Sequence, residues 1–178
     1  MICLASTSPR RIELLRKLTD DFFTEAPEVN ENTAEKKPKR MVKELALRKA
    51  QSKNYENILA ADTIVTRGGK IYGKPKSRCD AVKILMELSG KTHKVYTGVA
   101  IKCGAKTVVF AVCSKVKMKK LTKSEIENYV DTEKPFDKAG AYAVQDGRIV
   151  ESYKGSYSNI MGLPLEKLER VLYKLGLI

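Results

Sequence analysis

Near the start of the chain, Leu4-Ala5-Ser6-Thr7-Ser8-Pro9-Arg10-Arg11 combines residue types suited to holding an anion. The apolar run from Ile2 to Ala5 reads as a buried strand and breaks into small hydroxyl residues. Ser8 falls at a helix N-cap and Pro9 at N1, where its missing N–H costs nothing. Arg10 and Arg11 then occupy the first helical turn, the end at which the macrodipole already disfavours cations. An anion bound there by N–H groups, hydroxyls and guanidinium forks would account for that charge. The stretch reads as a phosphate grip.

Asp62 is the most informative carboxylate. It interrupts Ile58-Leu59-Ala60-Ala61 and Ile64-Val65, an otherwise buried strand. A carboxylate in that position needs a cation, a metal or a proton to offset its burial. Such surroundings can tune it for general-base work. A strand-end residue capping a turn is the other reading. Lys74, held between Gly73 and Pro75, can serve as a fixed point charge on phosphate or as a plain turn lysine. Asp137-Lys138-Ala139-Gly140-Ala141-Tyr142 leads toward Gln145 and mixes charged with small residues, as loops that approach ligands do; a simple turn has the same composition. The small-residue run from Gly155 to Asn159, followed by Gly162-Leu163-Pro164-Leu165, offers a second helix start that could receive an anion. His93 has no Ser or Cys partner at triad spacing and reads as structural. Neither GxxxxGK[ST] nor GxGxxG occurs, so P-loop and dinucleotide folds find no support.

The elements that must position these residues follow from periodicity. Ile12, Leu14, Leu15 and Leu18 stripe a first helix, and Phe22, Phe23 and Val29 suggest an extended segment. Pro38 opens a helix carrying Met41, Val42, Leu45, Ala46 and Ala50. Gly68-Gly69 turns the Asp62 strand back into Ile71-Tyr72. Ser77 and Asp80 resemble a capping box for a helix ending at Ser89-Gly90, and Thr122 with Glu125 forms another. Two long strands, 93–102 and 107–119, are joined at Gly104. Short strands are expected near Tyr142–Val144 and Ile149–Tyr153, and a last helix over 165–175. Helices alternate with strands but hairpins also occur, so the expected fold is α/β with a mixed, parallel and antiparallel, sheet.

Length and composition set the outer bounds. The 178 residues suit one domain or two fused lobes, with 43% apolar and 31% charged residues. No apolar run approaches the roughly 20 residues of a membrane span, and no secretion leader is visible. Four scattered cysteines without CxxC spacing, and a single histidine, argue against zinc and for a reducing cytoplasm. Thirty-four basic against 21 acidic residues give +13, which favours an anionic partner. The basic run 36–40 fits a solvated helix start better than a localisation signal.

In these blocks the sequence resembles the Maf family of nucleoside triphosphate pyrophosphatases. The resemblance runs nearly end to end through LASTSPRRIELL (4–15), Val29-Asn30-Glu31, Leu47 to Ala50, AADTIV (60–65), GKP (73–75), LSGKTHKVYTG (88–98), KPFDKAGAYAVQ (134–145) and GSYSNIMGLPL (155–165). It implies hydrolysis of a nucleoside triphosphate between the α and β phosphates, with a divalent cation such as Mg²⁺. It also implies one domain over residues 1–178, folded as two lobes around a cleft, in a cytoplasmic and often dimeric enzyme. Carried residue by residue, Asp62 matches the water-activating proton acceptor and Glu31 an acidic residue near the metal. Ser8, Arg10 and Arg11 match the triphosphate grip, and Lys49, Lys74 and Lys138 match phosphate-binding lysines. Arg10, Thr63 and Gln145 resemble the subgroup acting on dTTP and UTP rather than the 7-methyl-GTP subgroup. Asn30 stands where the family commonly has an acidic residue, which would weaken the charge near a metal. Two other readings are a purine-directed pyrophosphatase, disfavoured by Thr63 and Gln145, and a regulatory or nucleic-acid-binding protein linked to septum formation. Nucleic acid is disfavoured because aromatics do not interleave the basic runs.

Overall fold

The first apolar run becomes β1 (Ile2–Leu4), fully buried, and the Ser8-Pro9 signal opens α1 (Pro9–Arg16). The computed structural model describes residues 1–145 and 147–178. The remaining strands are β2 (Phe22–Thr24), β3 (Asn57–Arg67), β4 (Lys70–Tyr72), β5 (Thr92–Cys103), β6 (Lys106–Met118) and β7 (Val150–Lys154). The remaining helices are α2 (Pro38–Gln51), α3 (Arg78–Leu88), α4 (Lys123–Glu133), α5 (Tyr157–Met161) and α6 (Leu165–Lys174). The strands form one sheet in the order β2-β1-β3-β5-β6-β7, with β4 on β3. β1 pairs parallel to β2 and β3, whereas β4 on β3 and β7 on β6 are antiparallel. The mixed α/β sheet expected from the pattern is therefore present. Among the described residues no helix is long and apolar enough to cross a membrane.

The chain divides into two compact units. The first comprises Met1–Thr63, Tyr96–Cys113 and Ser156–Ile178. Its sheet is covered on one face by α2, because side chains on that face are small. Cys3, Ala5, Ile58, Ala60 and Ala100 pack with Ala46 and Ala50 of α2. Gly98 completes the approach: a Cβ there would stand 2.1 Å from the Val42 carbonyl oxygen of α2. Alternation along a strand sends neighbouring residues to the opposite face. That face meets α1 and α5, as the bonds of Thr63 and Thr97 described below show.

The second unit comprises Ile64–Val95 and Ser114–Gly155. Its core draws on Leu85 and Leu88 of α3, Ile126, Tyr129 and Val130 of α4, and Val116 and Met118 of β6, all buried. The tail of β6 alternates as its sequence does, with Lys115 and Lys117 exposed between buried Val116 and Met118. At α4 the Thr122–Glu125 capping box forms in both directions. At α3 it forms in one: Ser77 accepts from the Asp80 N–H, but Asp80 Oδ2 receives the Lys76 N–H rather than that of Ser77.

Three expectations are corrected. Residues 142–144 are not a strand, because the segment before them, Ala139–Ala141, is a single 3-10 turn. There Gly140 and Ala141 take φ of 74° and 59°, left-handed values that break an extended run. Val29 lies outside any strand. The Gly155–Asn159 run, read as a loop before the last helix, passes into the short α5, where Ser156 accepts from the Asn159 N–H.

Candidate functional site

β3 overhangs β1. Pairing between them covers Cys3↔Ile58 and Leu4↔Leu59, and the Ala5 N–H still reaches the Leu59 carbonyl at 2.8 Å. Beyond that point β1 has turned into the Ser6–Ser8 loop, while β3 runs on through Asp62 and Thr63. Ligand sites in α/β sheets favour this end of the parallel strands. Here Asp62 and Thr63, adjacent in sequence, face opposite sides of the sheet.

On the α2 side, Asp62 meets a cation. Lys49 Nζ stands 2.6 Å from Asp62 Oδ1 and 2.7 Å from Glu31 Oε1. The Lys49 and Asp62 side chains are 8% and 10% exposed, against 58% for Glu31. Lys49 lies in the last turn of α2, where the helix dipole favours a cation. Glu31 comes from the irregular segment between β2 and α2, and Arg48 secures that segment. Its Nη1 donates to the carbonyls of Asn30 at 3.2 Å and Asn32 at 2.7 Å, and its Nη2 pairs with Glu44. Asn30 Oδ1 accepts the Asn32 N–H at 2.8 Å, closing a local turn around Glu31.

On the opposite side, Arg11 is bound by the protein itself. Nε donates to the Gly162 carbonyl at 3.0 Å, Nη1 to Ser6 Oγ at 3.4 Å and Nη2 to Thr63 Oγ1 at 3.2 Å. Ser6 Oγ also accepts the Ser8 N–H at 3.2 Å, so one buried hydroxyl shapes the turn into α1. Burial pushes the Arg11 guanidinium down from its ordinary value, and the Asp62 carboxylate opposes that shift. Ser8 is the N-cap of α1, but its side chain makes no capping bond; its carbonyl accepts the N–H groups of Arg11 and Ile12. Arg10 is half-buried at the second helical position.

The comparisons with known proteins agree with one another. The family model described as "Maf-like protein" matches residues 1–175. The dTTP/UTP pyrophosphatase of Thermosipho africanus is 45% identical, covering 99% of this chain and 94% of that protein. The protein of the same name from Dictyoglomus thermophilum is 44% identical, covering 98% and 96%. The chain belongs to the Maf family. In fold it is similar to the Ham1 protein of Staphylococcus aureus, with a TM-score of 0.57 at 14% identity, covering 97% of this chain and 98% of that one.

Of the residues that the Maf resemblance assigns, the first unit brings together Asp62, Lys49 and Glu31, and joins Arg11 to Thr63. Lys74, Lys138 and Gln145 belong to the second unit. Lys74 and Gln145 are exposed, and Lys138 is half-buried with its Nζ 2.6 Å from Asp137 Oδ1. The segments carrying Lys74 and Lys138 touch: the Gly140 N–H donates to the Gly73 carbonyl at 3.1 Å. His93 is buried as a structural residue would be, with Nε2 2.7 Å from the Tyr142 hydroxyl.

Several residues at this site carried no individual signal in the sequence. Ser6, Thr97, Asn159 and Gly162 lie within family blocks, but only the tertiary bonds single them out. Among the described residues no group of three or more His, Cys, Asp or Glu side chains could hold a metal alone. Asp62 and Glu31 nonetheless direct two carboxylate oxygens at the single Lys49 charge. Mg²⁺ is commonly held by one or two carboxylates, with water and substrate phosphates completing its shell. This pair fits that role.

Proposed function

We propose that this chain is a nucleoside triphosphate pyrophosphatase acting on dTTP and UTP, releasing the monophosphate and pyrophosphate. The observation that carries the reading is the buried Lys49–Asp62 pair, one residue from the Arg11–Thr63 contact at the start of α1. Asp62 thus lies on the strand whose next residue is bonded to the first turn of α1, the turn that would take the phosphates. The curated relatives' names supply the substrate class.

In this reading Asp62 accepts a proton from the attacking water as its oxygen bonds to phosphorus and the α–β anhydride opens. Lys49 holds the Asp62 carboxylate in place. Ser8, Arg10 and Arg11 bind triphosphate oxygens at the start of α1. Phosphoryl transfer needs mainly this positioning and charge neutralisation. A divalent cation such as Mg²⁺, held by Asp62 and Glu31, would add charge neutralisation on the phosphates when bound. Lys74 and Lys138 as phosphate ligands, and Gln145 with Thr63 and Arg10 in base choice, enter through the family motifs. The enzyme so described is cytoplasmic and homodimeric, and its mass in solution by light scattering checks the second point.

The decisive experiment incubates the protein with a panel of triphosphates and Mg²⁺ and measures pyrophosphate. Release from dTTP and UTP above purine triphosphates is expected, with Asp62→Asn inactive yet folded. Equal turnover by Asp62→Asn removes the general-base assignment. Silence with every triphosphate removes the function.

A further inference from the structure

We propose that Thr97, buried on β5, is a positioning residue that sets the Arg11 guanidinium for its anion through Thr63. The proposal rests on the reading of α1 as a phosphate-binding terminus. Its core is a chain of hydroxyls whose direction the geometry fixes.

Thr97 Oγ1 lies 2.9 Å from the Asn159 carbonyl oxygen and 3.0 Å from Thr63 Oγ1. A carbonyl can only accept, so the single hydroxyl proton of Thr97 goes to Asn159. Thr97 must then accept in its contact with Thr63, and Thr63 must donate. That leaves Thr63 Oγ1 as the acceptor for Arg11 Nη2, 3.2 Å away. The bonds therefore run one way, from Arg11 to Thr63 to Thr97 to the Asn159 carbonyl. Each polarises the next, and in a buried setting such chains strengthen cooperatively.

Neither end of this chain has slack. Thr97 is wholly buried, as is Asn159, and a β-branched side chain holds its rotamer tightly. The following residue, Gly98, lies against the backbone of α2 on the other face of the strand. Across the guanidinium, Gly162 adopts φ 112° and presents its carbonyl to Arg11 Nε. A Cβ on Gly162 would come within 3.3 Å of Thr63 Oγ1 and 3.5 Å of Arg11 Nε, so the nook fits the two side chains closely. With Ser6 on Nη1, three of the five guanidinium N–H bonds are fixed, leaving one on each Nη for a ligand. Thr63, placed among the base-selecting residues by the family resemblance, thus has its hydroxyl committed on both sides. It reaches the ligand through Arg11.

The test compares Thr97→Val, which keeps the shape and removes the hydroxyl, with Thr97→Ser, which keeps the hydroxyl. Two quantities are read: the affinity for inorganic tripolyphosphate by calorimetry, and KM and kcat for dTTP. Losing the acceptor for Thr63 should weaken tripolyphosphate binding and raise KM about tenfold, the scale of one hydrogen bond to a charged network, with kcat changing much less. Thr97→Ser should recover most of the loss. The double variant Thr63→Val/Thr97→Val should bind no worse than Thr63→Val alone, because both act through one chain. Unchanged affinity and KM in Thr97→Val overturn the proposal, whatever happens to its melting temperature. Equal impairment in Thr97→Ser overturns it as well. If the parent binds tripolyphosphate but cleaves no triphosphate, the proposed function falls while the binding comparison still decides the role of Thr97.

Discussion

Lys49 Nζ and Asp62 Oδ1 stand 2.6 Å apart with both side chains about nine-tenths buried, and Glu31 shares the same ammonium at 2.7 Å. A helix and a strand are pinned to each other at that point by opposite charges. The arrangement explains how a carboxylate survives inside an apolar strand. A buried pair of this kind contributes little net stability, but removing one partner strands the other.

Lys49→Met should therefore destabilise the fold by about 3–5 kcal/mol, because Asp62 is left as an uncompensated buried charge. Asp62→Asn should cost less, since Lys49 keeps Glu31. Urea unfolding of both variants, alongside pyrophosphate release, separates the effects: both lose activity, and only Lys49→Met loses most of its stability. Equal destabilisation by the two would mean that Glu31 does not support Lys49 as the geometry indicates.

Gly98 makes a second, independent demand. A methyl group there would meet the Val42 carbonyl oxygen at 2.1 Å and its carbon at 2.3 Å. Both are backbone atoms that cannot swing aside. Gly98→Ala should cost about 1–3 kcal/mol, the range for overpacking a close contact. Gly73 offers the control: it is exposed, lacks a positive φ and has nothing within 4 Å of the place a methyl group would take, so Gly73→Ala should unfold close to the parent.

The acid limb of stability should carry the signature of His93. Burial, with a smaller contribution from Arg67, pushes its imidazole down from 6.5 to about 4. The folded state thus keeps His93 neutral while the unfolded chain takes up a proton between those values. Stability from this group is complete above pH 6.5 and is lost as pH falls toward 4, by about 3 kcal/mol in all at 1.36 kcal/mol per unit. Urea unfolding of the parent at about pH 7 and about pH 4.5 should show that drop. His93→Gln, which can still meet the Tyr142 hydroxyl, should flatten it. An unchanged slope in the variant would assign the acid limb to other groups.

Local signals were legible wherever the physics is local. Ser8-Pro9, Thr122 with Glu125, and the Gly68-Gly69 turn each announce an element end, and each is found there. The oddity of Asp62 announced that its burial needs an offset, from a cation, a metal or a proton. It could not say which, because Lys49 lies in a different element and only the packing of α2 on β3 joins them. The hydroxyls of Ser6, Thr63 and Thr97 sit in three separate segments, so the meeting of the first two on Arg11, and of Thr97 with Thr63, has no trace in spacing. Residues 142–144 misled for the opposite reason. Their composition suits a strand, but Ala141 is left-handed despite its Cβ, a conformation that the tertiary surroundings must enforce.

Asn30 stands beside Glu31, and its contacts show what holds that residue in place. Its Oδ1 closes a turn on the Asn32 N–H, a bond that an aspartate oxygen would make equally well. The turn, and with it Glu31, is held from outside by Arg48, whose Nη1 reaches both flanking carbonyls. Asn30→Asp should therefore leave hydrogen exchange at the Asn32 amide near that of the parent. Arg48→Ala should speed that exchange severalfold and raise KM for dTTP, since Glu31 loses its support while the buried Lys49–Asp62 pair remains. Its effect on stability should be about 1 kcal/mol or less, as the bonds lie at the surface. Slow exchange at Asn32 in Arg48→Ala would show that the Asn30 turn alone is enough to hold Glu31 in place.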